Sequence, residues 1–487
     1  MIGTGNTGLA ALEADVRRDL ERLNWPAPDW VPPTQRAGKR VLDVLVVGAG
    51  MCGQTAAFAL MREGVRNLRV VERKAAGTEG PWTTFARMDT LRSPKQLTGP
   101  DLGVASLTFR AWYEAVHGAA AWASLYKIAR LEWADYLMWA RRVLALPIEN
   151  HTEVSGLALE GGLIRVHLQG AAGVESILAR KVVLALGRDG SGAPRWPDFP
   201  SFSPAEAQAK GCIFHSADRI DFASLKGRRI GVLGAGASAF DNAGTALEAG
   251  AAAVTLFARR PHLPQVNKSK WASFPGFLRG FYRLDDARRW RFFTYIFTAQ
   301  VPPPFESVLR CEKYAGFSVR LGEPWADLDA DAKGAIVTTA KGTHRFDAVV
   351  IATGFDVDMM ERPEVAAFRE HAMVWADRVS PAEARAHPEE ARFPYLGDVF
   401  QLLERSPGAA SGLAGVHVFN WGCTMSHGPL AGDIPGLALG ANRLAEGIVR
   451  DLFVADADRH FDALLAHEEE ELKTTGQYVP KERRSAS

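Results

Sequence analysis

Short apolar runs that end in glycine turns set the pattern of this chain. Residues 41–47 form an apolar run interrupted only by Asp43, and Gly48, Gly50 and Gly53 follow it. The next apolar run ends at Glu72. Runs of this length, bounded by turn residues, are typical of strands buried in a parallel sheet. The pattern predicts a strand, a glycine turn, a helix and a second strand.

The same pattern occurs a second time along the chain. Residues 229–233 lead into the glycine-rich segment 234–239, and the next apolar run spans 253–258. Two further runs, 181–187 and 346–352, resemble each other. We expect both of these to be strands that rejoin a nucleotide-binding sheet.

The spacing of the first turn suits a dinucleotide. Gly48 permits the tight bend, Gly50 lets the backbone approach a pyrophosphate, and Gly53 lets helix and sheet close together. The N-terminus of the following helix then faces the phosphates. Glu72 is placed to hold the ribose hydroxyls. The first turn therefore predicts a dinucleotide site.

The second turn carries a different charge at the end of its second strand. Arg259 and Arg260 stand there, at the position that Glu72 has in the first unit. A carboxylate would repel a 2′-phosphate, whereas arginine would bind it, so this turn is predicted to take NADPH more readily than NADH. A solvated basic pair is the alternative. The turn residues predicted to hold the coenzyme are Gly234, Gly236 and Ser238.

Helical patterns lie on both sides of the two units. Residues 9–23 space their apolar positions like a short amphipathic helix, and a proline-rich linker follows. Residues 109–140 are rich in tryptophan and tyrosine at helical spacing, which indicates either a core-facing stripe or, for some of them, a substrate-lining wall. We expect the chain to return to the first domain through 415–420 and a helix near Pro435, and residues 458–473 to form a surface helix.

Length, charge and cysteine content narrow the class of protein. A chain of 487 residues is expected to form more than one domain. The net charge of +1 argues against a nucleic-acid partner. The four cysteines stand far apart with no metal-ligand spacing, so we expect a reducing, cytoplasmic location and no metal site. The longest apolar run, 41–61, holds Asp43 and Gln54, so no membrane span is expected.

These patterns predict an α/β fold with two Rossmann-like dinucleotide-binding domains, the second inserted in the first, as in glutathione reductase. The predicted divisions are an N-terminal helical arm and linker, a discontinuous FAD-binding domain, an NADPH-binding domain, and a C-terminal helix and tail. In that order they span 1–40, 41–195 with 341–455, 196–340, and 456–487.

Several segments together resemble the flavin-containing monooxygenases and the wider group of single-component, NADPH-dependent flavin monooxygenases. This group includes Baeyer-Villiger enzymes and N-hydroxylases. Besides the two turns and the arginine pair, the segments that resemble the family are 80–82, 89–95, 150–154, 210–216 and 352–355. In segment 210–216, the Gly211 and His215 spacing of the family fingerprint is kept, but its flanking aromatic positions are Ala209 and Arg219.

The resemblance implies FAD at the first turn, NADPH at the second, and a small organic substrate. It also implies that the reduced flavin forms a C4a-(hydro)peroxide with O2 and transfers one oxygen atom. The substrate class stays open among nitrogen, sulfur and carbonyl compounds. The further cofactor-binding residues that it implies are Arg73, Trp82, Val154, Thr353, Gly354 and Asn420.

The candidate catalytic residues are those that could stabilise the negative charge that develops near the flavin. Arg92 or Lys95 would stabilise a developing anion, with Asp89 orienting that base, and His427 would border the flavin ring. The alternative is that Asp89 and Arg92 form a structural ion pair, or that Arg92 contacts an FAD phosphate. His427 can likewise be a hydrogen-bonded structural residue.

Three other functions share the two-turn architecture. A disulfide reductase needs a paired redox cysteine, and Cys52 has no partner two or three residues away. An NADPH oxidase or quinone reductase needs no additional motif. A catalytically silent flavin-binding redox sensor would keep the turns alone.

Overall fold

The computed structural model describes residues 5–97, 99–171, 173–469 and 471. Within these residues the strands are, in chain order, β1 (Gln35–Arg36), β2 (Lys39–Arg40), β3 (Leu42–Val47), β4 (Leu68–Val71), β5 (Ile148–Glu149), β6 (Glu153–Glu160), β7 (Leu163–Gly170), β8 (Gly173–Leu184), β9 (Ile213–His215), β10 (Arg229–Leu233), β11 (Ala253–Ala258), β12 (Phe317–Leu321), β13 (Trp325–Asp331), β14 (Gly334–Thr339), β15 (Gly342–Phe346), β16 (Ala348–Ile351) and β17 (Val416–Val418).

The α-helices within the same residues connect and cover these strands. They are α1 (Gly5–Arg22), α2 (Met51–Arg62), α3 (Phe109–His117), α4 (Ala119–Ser124), α5 (Arg130–Val143), α6 (Pro204–Ala209), α7 (Ala237–Glu248), α8 (Lys268–Trp271), α9 (Pro275–Gly280), α10 (Asp286–Ala299), α11 (Phe305–Glu312), α12 (Pro381–Ala386), α13 (Pro388–Ala391), α14 (Thr424–His427), α15 (Ile434–Ala455) and α16 (Ala457–Leu465).

The first glycine turn belongs to a parallel sheet with strand order β5-β4-β3-β8-β17. The long strand β8 also pairs with the antiparallel hairpin of β6 and β7. Because β17 comes from near the C-terminus and joins β8, the chain returns to its first domain as predicted. Helix α15 then packs on α2. This sheet and its helices enclose the largest apolar core.

The second glycine turn belongs to a parallel sheet of order β12-β11-β10-β16-β9. Strands β13, β14 and β15, which lie between β12 and β16 along the chain, form a separate antiparallel sheet. In both domains, antiparallel strands precede a strand that rejoins the parallel sheet: β6 and β7 precede β8, and β13 to β15 precede β16. The two-domain α/β fold predicted from the sequence is confirmed.

The predicted boundary between residues 340 and 341 is wrong. Strand β15 lies beyond it but pairs with β14, and β16 pairs with β9 and β10 at the centre of the second sheet. The second domain therefore extends through Ile351. The local apolar pattern identifies β16 as a strand but carries no information about its sheet partners. Strand β8 of the first domain has a similar apolar run, so the pattern alone does not assign β16 to one domain.

The aromatic segment 109–140 is mainly core. Trp133 and Tyr136 are fully buried, whereas Tyr126 is 72% exposed and borders a large cavity. The core-facing interpretation is thus confirmed for most of the segment, and the wall-lining one fits Tyr126. A second aromatic cluster joins α9 and α10 to residues 357–425.

Both predicted terminal helices are present with shifted bounds. Helix α1 begins four residues earlier than the predicted 9–23, and α16 ends at Leu465, before the predicted residue 473. Part of the predicted tail, residue 470 and residues 472–487, lies outside the described residues. Among the helices described, none combines the length and the apolar character that crossing a membrane requires.

Candidate active site

One cavity of about 2300 Å³ lies between the two glycine turns. Gly48, Gly50 and Glu72 line it from the first domain, and Gly236 and Ser238 line it from the second. It exceeds the usual size of a site for one small ligand, about 300–1000 Å³. The cavity therefore has room for two dinucleotides at the carboxyl ends of both parallel sheets.

The first turn has the shape that a bound pyrophosphate needs. Gly48 has a φ of +97°, and a Cβ there would lie 2.7 Å from the carbonyl oxygen of Ala185. A Cβ on Gly53 would lie 1.8 Å from the carbonyl oxygen of Gly48. Gly50 is the N-cap of α2, and its nearest neighbour is 3.8 Å from the Cβ position. Two glycines thus allow close packing, and Gly50 leaves the helix N-terminus open to phosphate.

Glu72 holds this turn in place. The amide of Ala49 donates to Glu72 Oε2 at 3.0 Å, and the amide of Lys74 donates to Oε1 at 2.9 Å. The carboxylate is buried at the cavity edge. It therefore fixes the glycine turn relative to the end of β4, where the ribose of FAD is predicted to bind.

The second turn repeats this geometry. Gly234 has a φ of +124°, and its Cβ would lie 2.6 Å from the carbonyl oxygen of Ala352. Gly236 is the N-cap of α7, and nothing lies within 4 Å of its Cβ position. The residue at the third glycine position is Ala239, which is fully buried. Both turns therefore fit a dinucleotide phosphate by the same means.

The two arginines after β11 have different surroundings. Arg260 donates to the carbonyl oxygen of Thr298 at 2.9 Å, which ties it to the end of α10. Arg259 is exposed. Neither is among the described residues that line the cavity. Recognition of the 2′-phosphate by this pair stays a prediction, and Arg259 is the more available of the two.

The structure brings most of the other predicted cofactor residues to the cavity. Trp82 borders it and packs edge-on against Trp133, with ring centroids 6.4 Å apart. Thr353 donates to the carbonyl oxygen of Arg195, and Gly354 has a φ of +87°. The predicted residues of this group that line the cavity are Arg73, Trp82, Val154, Thr353 and Gly354.

Arg92 lines the cavity, but Asp89 does not orient it. An Arg92 side-chain nitrogen donates to Asp241 Oδ2 at 3.1 Å, and Asp241 lies on α7 of the second domain. The Asp89 side chain is 68% exposed and lies 3.5 Å from Arg310. The predicted pairing of these neighbours is therefore wrong, because the loop directs their side chains to different partners.

Lys95 also lines the cavity and is held by backbone oxygens. Its Nζ donates to the carbonyl oxygen of Trp122 at 2.6 Å and lies 4.9 Å from the centre of that indole ring. The carbonyl groups and the ring face both stabilise the ammonium group. A direct role for Lys95 in the reaction stays a prediction.

His427 is a structural residue, in contrast to its predicted catalytic role. It is buried, with Nε2 at 2.9 Å from the carbonyl oxygen of Gly397 and Nδ1 at 3.3 Å from Arg443. Its ring stacks on Phe400 with centroids 4.1 Å apart. Burial lowers its pKa to about 3. The imidazole is therefore neutral and packed beneath the site, and it does not line the cavity that the described residues form.

Asn420 is also an internal residue, although the sequence predicts it beside the flavin. Its Oδ1 accepts from the amide of Gly422 at 2.8 Å and lies 2.9 Å from Ser191 Oγ. Its Nδ2 donates to the carbonyl oxygen of Leu184. Asn420 thus joins the end of β8 to the segment after β17.

Three residues that the sequence analysis did not select line the cavity. The Arg188 guanidinium lies 3.7 Å from the centre of the Trp421 ring, and Asp433 lies at the N-cap of α15. Burial lowers the pKa of Arg188 and raises that of Asp433. One sequence signal was available, because Arg188 directly follows the apolar run 181–187, which is predicted to be a strand, and ligands bind at the carboxyl edge of parallel strands.

The cysteines do not form a redox pair. Cys52, Cys311 and Cys423 are buried free thiols, and burial raises the pKa of Cys52 and of Cys311 to about 12. The amide of Gly432 donates to Cys52 Sγ at 3.2 Å. Thiol–disulfide exchange requires an accessible thiolate. These three thiols are therefore unsuited to a disulfide reductase.

Comparison with known proteins defines the class. A family model described as pyridine nucleotide-disulphide oxidoreductase matches residues 45–273. The ornithine hydroxylase of Pseudomonas aeruginosa covers 85% of this chain and 100% of its own, with a TM-score of 0.66 at 16% identity. The L-lysine 6-monooxygenase of Pseudomonas syringae covers 84% and 99%, with a TM-score of 0.63 at 17% identity. The fold is that of two-domain FAD and NADPH flavoproteins.

One relative identifies the family. The chain is 41% identical over 466 residues to the FAD-dependent urate hydroxylase of Xanthomonas campestris pv. campestris, and the match covers 95% of this chain and 97% of the relative. The chain belongs to the family of FAD-dependent monooxygenases that contains this hydroxylase. It is a flavin-dependent monooxygenase.

Proposed function

We propose that this monooxygenase hydroxylates urate, with one atom of O2 entering the product and NADPH as the reductant. The observation that carries the proposal is the 41% identity to a urate hydroxylase along 95% of the chain. The match extends over both domains and therefore over the segments that line the cavity between them. We also infer that the reaction takes place in the cytoplasm.

The walls of the cavity suit a planar anion. Trp421, Phe297 and Phe85 supply ring faces, and Arg92 and Arg188 supply positive charge. Urate is a flat, nitrogen-rich heterocycle that is anionic at neutral pH, so it can stack on an indole and accept hydrogen bonds from arginine. An alkylammonium substrate, as in an ornithine or lysine hydroxylase, would be repelled by Arg188, because Arg92 already has Asp241 as its counterion.

The residues present fit both cofactors at the two glycine turns. Gly50 and Gly236 leave the helix N-termini open to the two pyrophosphates, and Glu72 fixes the first turn. Bound FAD, once reduced, supplies the oxygen-activating chemistry. The chain positions the substrate and excludes water through buried apolar side chains that line the cavity, among them Leu91 and Ile296.

Side-chain contacts join the two domains beside the cavity. Lys127 Nζ donates to Glu306 at 2.7 Å, and the Tyr126 hydroxyl donates to the same carboxylate at 2.9 Å. Arg310 donates to the carbonyl oxygen of Arg87 at 2.7 Å. These contacts join loops of the first domain to α11 and hold the two cofactor sites in fixed relation.

The test measures whether urate, NADPH and O2 are consumed in equal amounts and whether the product contains oxygen from O2. Purified FAD-loaded enzyme is mixed with NADPH, urate and isotopically labelled O2, and the loss of each reactant and the mass of the product are measured. We expect equal consumption of urate, NADPH and O2, with one labelled oxygen in the product. NADPH loss that yields hydrogen peroxide, with urate unchanged, would contradict the proposal and favour an NADPH oxidase.

A substrate panel separates urate from the other candidate classes. Ornithine, lysine, a dialkyl sulfide and a cyclic ketone are tested under the same conditions, with product formation as the readout. Oxygenation of an amine, sulfide or ketone but not of urate would assign the enzyme to that class instead.

A further inference from the structure

Arg188 and Trp421 form a paired surface inside the cavity. The guanidinium carbon lies 3.7 Å from the indole centre, which is stacking distance. Gly432 packs beside the ring, and a Cβ there would lie 3.7 Å from the indole, at ordinary van der Waals distance. Stacking leaves the edge of the guanidinium, with its N–H donors, free to bind another group.

A buried polar network fixes this pair. Ser191 Oγ donates to the carbonyl oxygen of Gly187 at 2.9 Å and accepts from the amide of Gly422 at 3.2 Å. Asn420 Oδ1 lies 2.9 Å from the same hydroxyl. Gly187 precedes Arg188, and Gly422 follows Trp421. The network therefore connects the two backbones directly beside the paired side chains.

The charge on Arg188 lacks a direct counterion. No hydrogen bond or ion pair joins its guanidinium to any residue that the structure describes. Asp433 acts on it only at longer range, and Arg92 adds further positive charge. An arginine stays protonated at neutral pH even when burial lowers its pKa. Arg188 is open to the solvent in the cavity, so its N–H donors are accessible to a ligand, and a bound anion would supply the counterion that the described residues do not.

We propose that Arg188, stacked on Trp421, binds the anionic edge of the planar substrate through two parallel charge-assisted hydrogen bonds. The proposal rests on the proposed function, because urate supplies the flat anion. An anionic group of FAD or NADP⁺ is the other possible source of the charge. If the anion is urate, a variant of Arg188 loses urate binding. If the anion belongs to a cofactor, the variant loses FAD or is reduced more slowly by NADPH.

The experiment compares Arg188→Gln and Arg188→Lys with the wild-type holoenzyme. Urate is titrated into the oxidised enzyme without NADPH, and binding is followed by tryptophan fluorescence and flavin absorbance. We expect Arg188→Gln to weaken urate binding about 10- to 100-fold, in line with the loss of a charge-assisted pair. We expect Arg188→Lys to weaken it less, because lysine keeps the charge but lacks the planar fork.

Two matched measurements identify the ligand. FAD content per polypeptide and the anaerobic rate of flavin reduction by NADPH are expected to stay at wild-type values in both variants. Arg345→Gln, an exposed arginine of the separate antiparallel sheet that pairs with Asp331, is the control for loss of an arginine. We expect it to bind urate normally.

Each other outcome overturns a specific claim. Unchanged urate binding in Arg188→Gln would overturn the assignment of Arg188 while leaving the proposed function in place. Loss of FAD, or slower reduction by NADPH, would show that the arginine serves a cofactor. Failure of the wild-type holoenzyme to bind urate would overturn the proposed function and this inference together.

Discussion

Arg92 and Asp241 form an ion pair between the two domains, with the guanidinium nitrogen 3.1 Å from Asp241 Oδ2. Asp241 lies on α7, which follows the second glycine turn, and its other oxygen accepts from Ser307 Oγ at 2.6 Å. Its side chain is 4% exposed, whereas that of Arg92 is 45% exposed. The pair therefore connects a cavity-lining loop of the first domain to α7 and α11.

Breaking this pair is expected to lower the fraction of NADPH oxidation that yields hydroxylated product, with only a small loss in the free energy of unfolding. Because Arg92 is half in solvent, the pair contributes about 0.5–1 kcal/mol. A double-mutant cycle of Arg92→Gln and Asp241→Asn, followed by denaturant unfolding of the holoenzyme, measures that coupling energy. We also expect a larger fraction of NADPH oxidation to yield hydrogen peroxide. If the effects of the two single substitutions on unfolding free energy add, and if hydrogen peroxide formation does not rise, the contact has no functional role.

Glu72 is expected to support FAD binding by holding the glycine turn. Glu72→Gln keeps one acceptor oxygen but loses the charge that accepts from Ala49 and Lys74. We expect FAD affinity to fall about tenfold, consistent with the ~1.5–3 kcal/mol of a hydrogen bond to a charged group. Equilibrium dialysis and thermal unfolding with added FAD measure the change. Glu175→Gln, an exposed acid paired with Arg69 on the same sheet, is expected to retain wild-type FAD affinity.

Local pattern was sufficient for the turns but not for the contacts between domains. Gly48, Gly50 and Glu72 lie within one βαβ unit, so their spacing along the chain determines their geometry. Arg92 and Asp241 are 149 positions apart, and no local pattern connects them. Asp89 was the expected partner because it is near in sequence, but side-chain direction in a loop depends on tertiary packing.

The same limit explains the two misassigned C-terminal residues. His427 and Asn420 are polar residues in a segment that does return to the first domain, and polarity there suggested contact with the flavin. The structure uses both as internal hydrogen-bonding groups, which a folded chain needs wherever buried backbone lacks a partner. Trp421, the immediate neighbour of Asn420, faces the cavity instead.

Arg259 is expected to determine coenzyme selectivity to a greater extent than Arg260. Arg260 already donates to Thr298, whereas Arg259 is exposed at the carboxyl end of β11. We expect Arg259→Ala to raise the KM for NADPH about tenfold and to leave that for NADH nearly unchanged, because only NADPH carries the 2′-phosphate. Steady-state kinetics with both coenzymes measure the ratio.

The control for that change lies at the opposite edge of the same sheet. Arg229→Ala removes an exposed arginine at the start of β10, where no ligand of a parallel sheet is expected. It should leave the KM for NADPH and for NADH unchanged. Equal losses for both coenzymes in Arg259→Ala would contradict recognition of the 2′-phosphate.

Two buried histidines are expected to destabilise the protein in acid. Burial lowers the pKa of His417 and of His427 from 6.5 to about 3. Between these two values the unfolded chain binds protons that the folded protein excludes, so the free energy of unfolding falls as the pH falls. The stabilisation is fully present above pH 6.5 and is lost progressively toward pH 3. Denaturant unfolding at a series of pH values measures this slope.

Substitution of His427 separates this structural role from catalysis. His427→Gln keeps a donor for the carbonyl oxygen of Gly397 but cannot titrate, so the slope of unfolding free energy between pH 3 and 6.5 should decrease. The pH profile of kcat/KM should keep its wild-type shape, because the residue is neutral throughout the working range. His371→Gln, an exposed histidine, should change neither measurement. A lost limb of the activity profile in His427→Gln would instead establish a role for this imidazole in the reaction.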